Sequence, residues 1–261
     1  MRNRRTAGPS IANAGAVVFD LSGTLVTWGT SYEACLAESM RDWLGRWDGG
    51  EDASALVDAA LRRYREARKG GASRGDAVRG AIDALPLDGD ERAARAIARA
   101  ADALRLERAT LAPGAEACLE ALAGRYVLAV ATNLDDVAAA RLHARLGLGR
   151  FVQAERVFAG RARSGTGTGT NPTVKKPRKP QPAFFRAVAS ALGVPAARCL
   201  MVGDSLRADV QGALASGWAA VRLDKNARRP LARHRVDGRS FYVARTFDDM
   251  LSLLAPYGSG K

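Results

Sequence analysis

Short apolar runs, most of them followed by a segment with helical spacing, recur over much of the chain. The first run, 16–19, has two β-branched residues in its middle and stops at Asp20, after which the chain reads Leu-Ser-Gly-Thr. An apolar run of this length that ends in a turn predicts a buried strand. Four later runs share this character: 126–131, 157–159, 199–202 and 219–223. Strand–helix alternation of this kind predicts an α/β fold with a doubly wound parallel sheet.

The stretch after the first strand follows a different pattern, rich in Ala, Leu and Arg with apolar residues at helical spacing. Two Gly-Gly pairs and a proline divide it, which indicates about four helices. We therefore predict an α-helical cap domain at 27–112, inserted in an α/β core at 16–26 and 113–261.

Four aromatic residues lie early in the predicted cap: Trp28, Tyr32, Trp43 and Trp47. They would either line a substrate pocket or pack between the cap helices. Packing between helices is the more common use of large aromatic side chains.

Two segments do not fit the α/β pattern. Residues 161–178 alternate Gly with Thr between basic residues, and this low complexity predicts a flexible surface insertion. A phosphate-binding loop is the alternative, but the segment lacks the Gly-Lys-Ser/Thr ending of a P-loop. Residues 1–15 contain arginines without an apolar stretch behind them, so they do not resemble a secretory signal and are predicted to be a disordered tail.

Composition limits the classes of function. The formal net charge is +13, but only six of the 40 basic residues are lysine, and the arginines are spread along the helical segments. A general preference for arginine explains this better than a nucleic-acid site, which we do not expect. The apolar runs are too short to cross a membrane. The three cysteines lack paired spacings, which indicates free thiols in a reducing compartment and a cytoplasmic location.

Three of the predicted strands end in an acid or a hydroxyl side chain, at Asp20, Thr132 and Asp204. The carboxyl ends of parallel strands lie along one edge of a sheet, where ligands bind, so these residues should converge. Asp209 follows Asp204 by five positions, and Lys179 precedes the helix that leads to the strand at 199–202.

Four segments around these residues resemble, in order, the four motifs of the haloacid dehalogenase (HAD) superfamily of hydrolases. They are DLSGTL at 20–25, Thr-Asn at 132–133, KPQPAFF at 179–185 and GDSLRAD at 203–209, with Gly212. The resemblance extends from about residue 16 to 255 and implies a Rossmann-like HAD core with the helical segment as its cap. Such lids exclude water and select the leaving group, so a sizeable cap favours small substrates over proteins or nucleic acids. One such motif is a weak signal, whereas the ordered set is specific.

The resemblance implies a role for each matched residue. Asp20 would be the nucleophile that forms an aspartyl-phosphate, and Lys179 would neutralise negative charge around it. The residues implied to bind the phosphoryl group are Thr132, the backbone amide of Asn133, Gly23 and Thr24. A carboxylate repels a phosphate dianion, so a divalent cation is needed as well. The ligands implied for Mg²⁺ are Asp20, the backbone carbonyl of Ser22, Asp204 and Asp209.

Ser22 departs from the family pattern, because most phosphatases of the family carry an acid–base Asp at this position. One interpretation is a substrate with a good leaving group, such as an acyl phosphate, a phosphoramidate or pyrophosphate. The phospholysine phosphohistidine inorganic pyrophosphate phosphatases are similar at this motif, with Ser in the same place. Alternatively, water or a neighbouring group replaces the acid and monoesters are cleaved slowly. Phosphonate cleavage would need Lys69, the single lysine of the predicted cap, as a Schiff base.

The sequence therefore predicts an Mg²⁺-dependent phosphohydrolase that acts on a small phosphorylated metabolite as a monomer or homodimer. Two alternatives come from other classes of protein. One is a phospholigand-binding or regulatory protein with little turnover, and the other is a nucleic-acid-associated basic module. Retention of the nucleophile at Asp20 favours the enzyme, since binding alone would not require it.

Overall fold

The computed structural model describes residues 11–46, 52–87, 89–161 and 177–254. The chain divides into a helical unit, Trp28–Ala109, and an α/β unit formed by the parts of the chain on either side of it. Within the described residues, no helix has both the length and the apolar character that a membrane span requires.

Seven of the described strands form one sheet at the centre of the α/β unit. β1 (Ala16–Phe19) pairs in parallel with β4 (Val127–Asp135) on one side and with β6 (Cys199–Gly203) on the other. β5 (Val157–Arg161) lies beyond β4, and β7 (Ala219–Leu223) lies beyond β6, both also parallel. The predicted α/β class with a parallel central sheet is therefore confirmed.

The remaining strands complete the edges. β9 (Arg239–Ala244) is parallel to β7, and β8 (Arg233–Val236) is antiparallel to β9 at the edge. β2 (Val26–Trp28) and β3 (Ala109–Leu111) form a separate two-stranded sheet.

Helices cover both faces of the central sheet, because successive side chains of a strand point to opposite faces. Val18 belongs to a buried cluster with Phe185 of α7 (Pro182–Leu192), and Phe185 meets Trp218 edge to face at 5.3 Å between ring centroids. The neighbouring Phe19 instead lies 6.3 Å from a phenylalanine at the start of α9 (Phe247–Leu254). The other helices of this unit are α5 (Ala115–Leu122), α6 (Asp136–Arg145) and α8 (Gly212–Ala215).

Four helices are described in the helical unit, which agrees with the pattern in the sequence. They are α1 (Tyr32–Leu44), α2 (Ala53–Lys69), α3 (Arg74–Ile82) and α4 (Glu91–Glu107). Each begins after a residue whose side chain accepts a hydrogen bond from a backbone amide of the first turn, which satisfies an otherwise unpaired donor. These capping residues are Ser31, Asp52, Ser73 and Asp90. Trp47 lies outside the described residues.

The strand β4 is longer than the sequence pattern predicted. The sequence pattern ended this strand at 131, whereas β4 continues to Asp135 and α6 begins at Asp136. The Asp135 carboxylate accepts a hydrogen bond from the Ala138 amide at 2.8 Å, so Asp135 caps α6 and fixes the later start. Thr132 and Asn133 therefore lie within a strand.

The segment after β6 does not begin as a regular α-helix. Residues Leu206–Gln211 form a π-helical turn, and α8 starts only at Gly212. The carbonyl of Ser205 accepts hydrogen bonds from the amides of both Asp209 and Val210, which widens the turn. Turns of this kind are rare and are found mostly at functional sites.

The β8–β9 hairpin was not predicted, although its turn has a clear signature. Asp237 and Gly238 both have positive φ, 49° and 73°, as a two-residue hairpin turn requires. Asp-Gly is one of the strongest signals for such a turn. Arginines at several strand positions broke the apolar alternation that would have revealed the strands.

Two segments, residues 1–15 and 161–178, were predicted to be disordered or flexible. Ile11–Asn13 forms a short 3₁₀ turn with Ile11 buried, and the Gly15 amide bonds to the Arg198 carbonyl at 2.8 Å. Residues 11–15 are thus ordered, contrary to the predicted tail at 1–15, because they lead directly into a central strand. Most of the predicted insertion at 161–178 lies outside the described residues.

Candidate active site

The parallel sheet brings the predicted residues to one edge. In the pairing register, Phe19 lies between Val130 of β4 and Val202 of β6. Asp20 comes directly after β1, and its amide donates to the Val202 carbonyl at 2.8 Å. Thr132 lies two residues beyond Val130, and Asp204 lies two residues beyond Val202. Asp20 and Asp204 therefore come just after the ends of their strands, and Thr132, inside the longer β4, lies at the same edge of the sheet.

A buried lysine connects the first and last of the predicted motifs. Lys179 Nζ lies 2.6 Å from Asp20 Oδ1 and 2.6 Å from Asp209 Oδ1. The three residues are only 3%, 6% and 1% exposed, respectively. Hydrogen bonds between charged groups are stronger than neutral ones, and water exclusion strengthens them further. Lys179 thus holds two carboxylates together at the sheet edge.

Three carboxylates meet around this single ammonium group. One oxygen from each of Asp20, Asp204 and Asp209 lies within 4.8 Å of the others. When all three are ionised, their negative charge exceeds the positive charge of the Lys179 ammonium. Carboxylate oxygens are the ligands that Mg²⁺ prefers, so this donor set fits a divalent cation.

The environment shifts the pKa values of these groups. Burial raises the pKa of Asp20 to about 7, since the opposing effect of Lys179 offsets burial only in part. Burial also raises the pKa of Asp204, with a further contribution from the Asp209 charge. For Lys179, burial acts to lower the pKa, but the Asp20 and Asp209 carboxylates outweigh burial and raise it. The lysine is therefore held in its charged form.

The loop after Asp20 approaches the acidic cluster closely. Gly23 has a φ of 86°, and a Cβ at this position would lie only 2.7 Å from Asp204 Oδ2. Both the backbone conformation and the lack of space require glycine here. The Thr24 hydroxyl points towards Asp20 and donates to Oδ2 over a long 3.5 Å.

Ser22 lies in the same loop, where its backbone pairs with Val26 in an isolated bridge. The Ser22 hydroxyl is buried and has no hydrogen-bond partner among the described residues. Because a buried hydroxyl normally has a hydrogen-bond partner, Ser22 is an exception to the usual pairing of buried polar groups.

The Thr-Asn pair contributes in two ways. Thr132 is buried, and its hydroxyl accepts from the Leu134 amide at 3.2 Å. The Asn133 side chain forms a reciprocal pair with the Lys179 backbone: Nδ2 donates to the Lys179 carbonyl at 3.0 Å, and Oδ1 accepts from the Lys179 amide at 3.1 Å. Asn133 therefore fixes the segment that presents the lysine, a contribution that its predicted backbone role did not include.

Two further residues at this edge were not predicted from the sequence. Arg222 donates from Nε to the Asp204 carbonyl at 3.1 Å, which steadies the loop after β6. Ser205 uses its hydroxyl to accept from the Ala208 amide, and its own amide donates to the Asp209 carboxylate at 3.0 Å. An arginine inside the otherwise apolar strand 219–223 was a signal for the first. Ser205 had no comparable signal, because serine is common at helix starts.

Comparison with known proteins agrees with this geometry. The family model described as haloacid dehalogenase-like hydrolase matches residues 14–217. The chain belongs to this family. The prediction of a HAD-like enzyme that hydrolyses phosphate esters is thereby confirmed at that general level.

Individual relatives of this HAD-like hydrolase extend over most of its length. A phosphoglycolate phosphatase of Rhodospirillum rubrum is 34% identical over 250 residues, which cover 91% of this chain and 88% of that protein. One from Pseudomonas savastanoi is 31% identical and covers 91% and 78%, respectively. A solved HAD-superfamily hydrolase of subfamily IA from Geobacter sulfurreducens has a TM-score of 0.59 over 95% of this chain and 100% of that one. At 21% identity, the last likeness shows the fold alone.

The reciprocal Asn133–Lys179 pair generates a stability prediction for this HAD-like hydrolase. Asn133→Ala removes a donor and an acceptor and leaves the Lys179 backbone groups unpaired. We expect the free energy of unfolding to fall by about 1–3 kcal/mol, the size of two net hydrogen bonds. Urea unfolding measures the change. Asn226→Ala, at an exposed position, is the matched control and should stay within about 0.5 kcal/mol of the parent. Equal effects of the two substitutions would contradict the prediction.

Proposed function

We propose that this chain is an Mg²⁺-dependent phosphohydrolase that acts on a small phosphorylated metabolite through an aspartyl-phosphate at Asp20. The observation that carries the proposal is the buried arrangement in which Lys179 Nζ lies 2.6 Å from both Asp20 and Asp209 within the three-carboxylate cluster. Relatives named phosphoglycolate phosphatase extend over most of the chain, so phosphoglycolate is the first substrate to test.

In this proposal, Asp20 forms a bond to phosphorus as the bond between phosphorus and the leaving oxygen breaks. Water then attacks the aspartyl-phosphate, which releases inorganic phosphate and restores the carboxylate. Throughout both steps, the positive charge of Lys179 stabilises the negative charge next to the nucleophile. The phosphoryl oxygens would be bound by Thr132, the Asn133 amide and the Gly23–Thr24 segment.

The proposed ligands of Mg²⁺ are Asp20, Asp204, Asp209 and the backbone carbonyl of Ser22. When bound, the cation supplies positive charge that lets an anionic carboxylate and an anionic phosphate approach each other. The excess of carboxylates over ammonium groups in the cluster supports this assignment.

Ser22 limits the chemistry of the leaving group in this proposal. A serine hydroxyl cannot protonate a leaving oxygen near neutral pH, so the enzyme would favour substrates whose leaving group needs little protonation. Acyl phosphates, phosphoramidates and pyrophosphate meet this requirement. Monoesters such as phosphoglycolate would be cleaved more slowly, because general acid catalysis is worth roughly 10²–10⁴ in rate.

The helical unit and the three cysteines bear on the choice of substrate and on the location of the enzyme. We propose that the helical unit serves as the cap that selects the leaving group, as insertions at this position commonly do. All three cysteines, Cys35, Cys118 and Cys199, are buried free thiols, which supports a reducing location such as the cytoplasm.

The nucleophile is tested by measuring phosphate release from p-nitrophenyl phosphate, acetyl phosphate and phosphoglycolate, each with and without Mg²⁺. We expect release to require Mg²⁺ and to fall at least about 10³-fold in Asp20→Asn, since the amide cannot attack phosphorus. Asp58→Asn, at an exposed position on α2, is the control for the loss of one carboxylate and should keep full activity. Substantial turnover by Asp20→Asn would exclude Asp20 as the nucleophile.

The role of Ser22 is tested by Ser22→Asp, which introduces the missing acid. Turnover of phosphoglycolate, which has the poorest leaving group, should increase about 10²-fold. Turnover of p-nitrophenyl phosphate should increase less, and turnover of acetyl phosphate should stay the same. Ser22→Ala should leave the turnover of all three substrates unchanged, because the hydroxyl is not used as an acid. If Ser22→Asp changes neither substrate class, the leaving-group proposal is wrong.

Metal binding should depend on pH in a defined direction. With its pKa raised to about 7, Asp20 carries a proton at pH 5.5 that a cation must displace, whereas at pH 8 it is ionised. The increase in thermal midpoint caused by Mg²⁺ should therefore be larger at pH 8 than at pH 5.5. Asp20→Asn removes this titrating group and should flatten the difference. An Mg²⁺ effect independent of pH in the parent protein would contradict the assignment of Asp20 as a ligand.

A further inference from the structure

The three carboxylates of the acidic cluster are not held equally. Asp20 and Asp209 are buried, and each accepts a hydrogen bond from Lys179 Nζ at 2.6 Å. Asp204 is exposed, and in the part of the chain that the structure describes no other side chain donates to its carboxylate. The position of this third carboxylate therefore depends on how its backbone is held.

The backbone of Asp204 is held by a side chain of the neighbouring strand. The pairing of β6 with β7 ends at Gly203 and Arg222, so Asp204 is the first residue beyond the ladder. Its carbonyl accepts a hydrogen bond from Arg222 Nε at 3.1 Å. The guanidinium thus extends the connection between the two strands by one residue, at the point where the chain presents a carboxylate to the cluster.

Arg222 is itself fixed by Asp224. Arg222 Nη1 lies 3.2 Å from Asp224 Oδ2, and the two side chains are only 33% and 26% exposed. Asp224 is held in turn, because its amide donates to the Ala244 carbonyl at 2.8 Å and its Oδ1 accepts from the Asn226 amide at 3.0 Å. A guanidinium presents several N–H donors in one rigid plane, so Arg222 can bond a carbonyl and a carboxylate at the same time.

The charge of Arg222 and its hydrogen bond would affect a bound cation in opposite directions. A positive charge near the cluster repels a cation, so its removal alone would strengthen cation binding. Loss of the bond to the Asp204 carbonyl frees the carboxylate to move, which would weaken cation binding. Asp224 offsets the charge of the guanidinium, and water and salt screen it further at this partly exposed position. The hydrogen bond should therefore outweigh the charge.

We propose that Arg222 is a positioning residue for the divalent cation. It holds the Asp204 backbone, with Asp224 as its support, so that the third carboxylate is in place before the cation binds. Residues that orient the ligands of a metal typically change its affinity by about 10–100-fold when they are substituted. This role rests on the Mg²⁺ site of the proposed function, and it involves two residues, Arg222 and Asp224, that lie outside the four HAD motifs.

Calorimetric titration of the full-length protein with Mg²⁺ at pH 8 tests this role. Arg222→Gln should weaken Mg²⁺ binding about tenfold. Arg222→Lys keeps the charge but lacks the planar fork, so it should restore little of the affinity. Arg228→Gln removes an exposed arginine from the segment after β7 and should bind Mg²⁺ as the parent does. Unchanged or stronger binding in Arg222→Gln would overturn the proposal, as would full affinity in Arg222→Lys.

A double substitution tests whether Arg222 acts through Asp204. Asp204→Asn removes the carboxylate that Arg222 is proposed to position, so the addition of Arg222→Gln should weaken Mg²⁺ binding by less than about twofold more. A full further tenfold loss would contradict this. The thermal midpoint without Mg²⁺ reports any general loss of stability. A lower midpoint in Arg222→Gln with unchanged Mg²⁺ affinity would mean that the role of Arg222 is only structural and would overturn the proposal.

Phosphate release separates this role from the proposed function. In Arg222→Gln, the Mg²⁺ concentration for half-maximal release should rise about tenfold, whereas kcat at saturating Mg²⁺ should stay within about twofold of the parent. A large loss of kcat at saturating Mg²⁺ would contradict a role in positioning alone. If the parent binds Mg²⁺ but hydrolyses no phosphate compound tested, the proposed function fails, and the titration still decides the role of Arg222. If the parent does not bind Mg²⁺, the metal site fails and the role of Arg222 with it.

Discussion

The contact between one buried ammonium and two buried carboxylates is the constraint on which the rest of this molecule depends. Lys179, Asp20 and Asp209 come from three separate segments, and each would be costly to bury alone. The parallel sheet places Asp20 beside the loop after β6, the π-helical turn directs Asp209 inward, and Asn133 holds the backbone of Lys179. Much of the local structure at this edge can thus be understood as a means of keeping these charges together without water.

Much of this arrangement was predictable from the sequence, for a topological reason. Residues that end strands of a parallel sheet converge whatever their separation along the chain, so Asp20, Thr132 and Asp204 could be grouped from strand patterns alone. The side-chain bonds of Asn133 and the wide turn at 206–211 could not be predicted, because each depends on a partner that only the folded chain brings near. The β8–β9 hairpin is a different case: Asp237-Gly238 signalled the turn, but arginines obscured the strands on either side.

The two units differ in the charged groups that they bring together. The α/β unit brings three carboxylates together, a donor set that suits a divalent cation. The helical unit instead stacks the guanidinium groups of Arg105 and Arg74 on the rings of Trp28 and Tyr32. Each unit is thus organised around its own hydrophobic core.

Neighbouring residues in the loop after β1 differ in how freely they can vary. Gly23 is confined by its positive φ and by the Asp204 carboxylate next to it, so any side chain there would disturb the acidic cluster. The Ser22 hydroxyl has no described partner, and the proposed metal ligand at that position is a backbone carbonyl. Replacement of the Ser22 side chain would therefore remove no hydrogen bond among the described residues. This loop offers a route by which a lineage of such enzymes could acquire or lose acid catalysis through the exchange of a single residue while its charged centre stays the same.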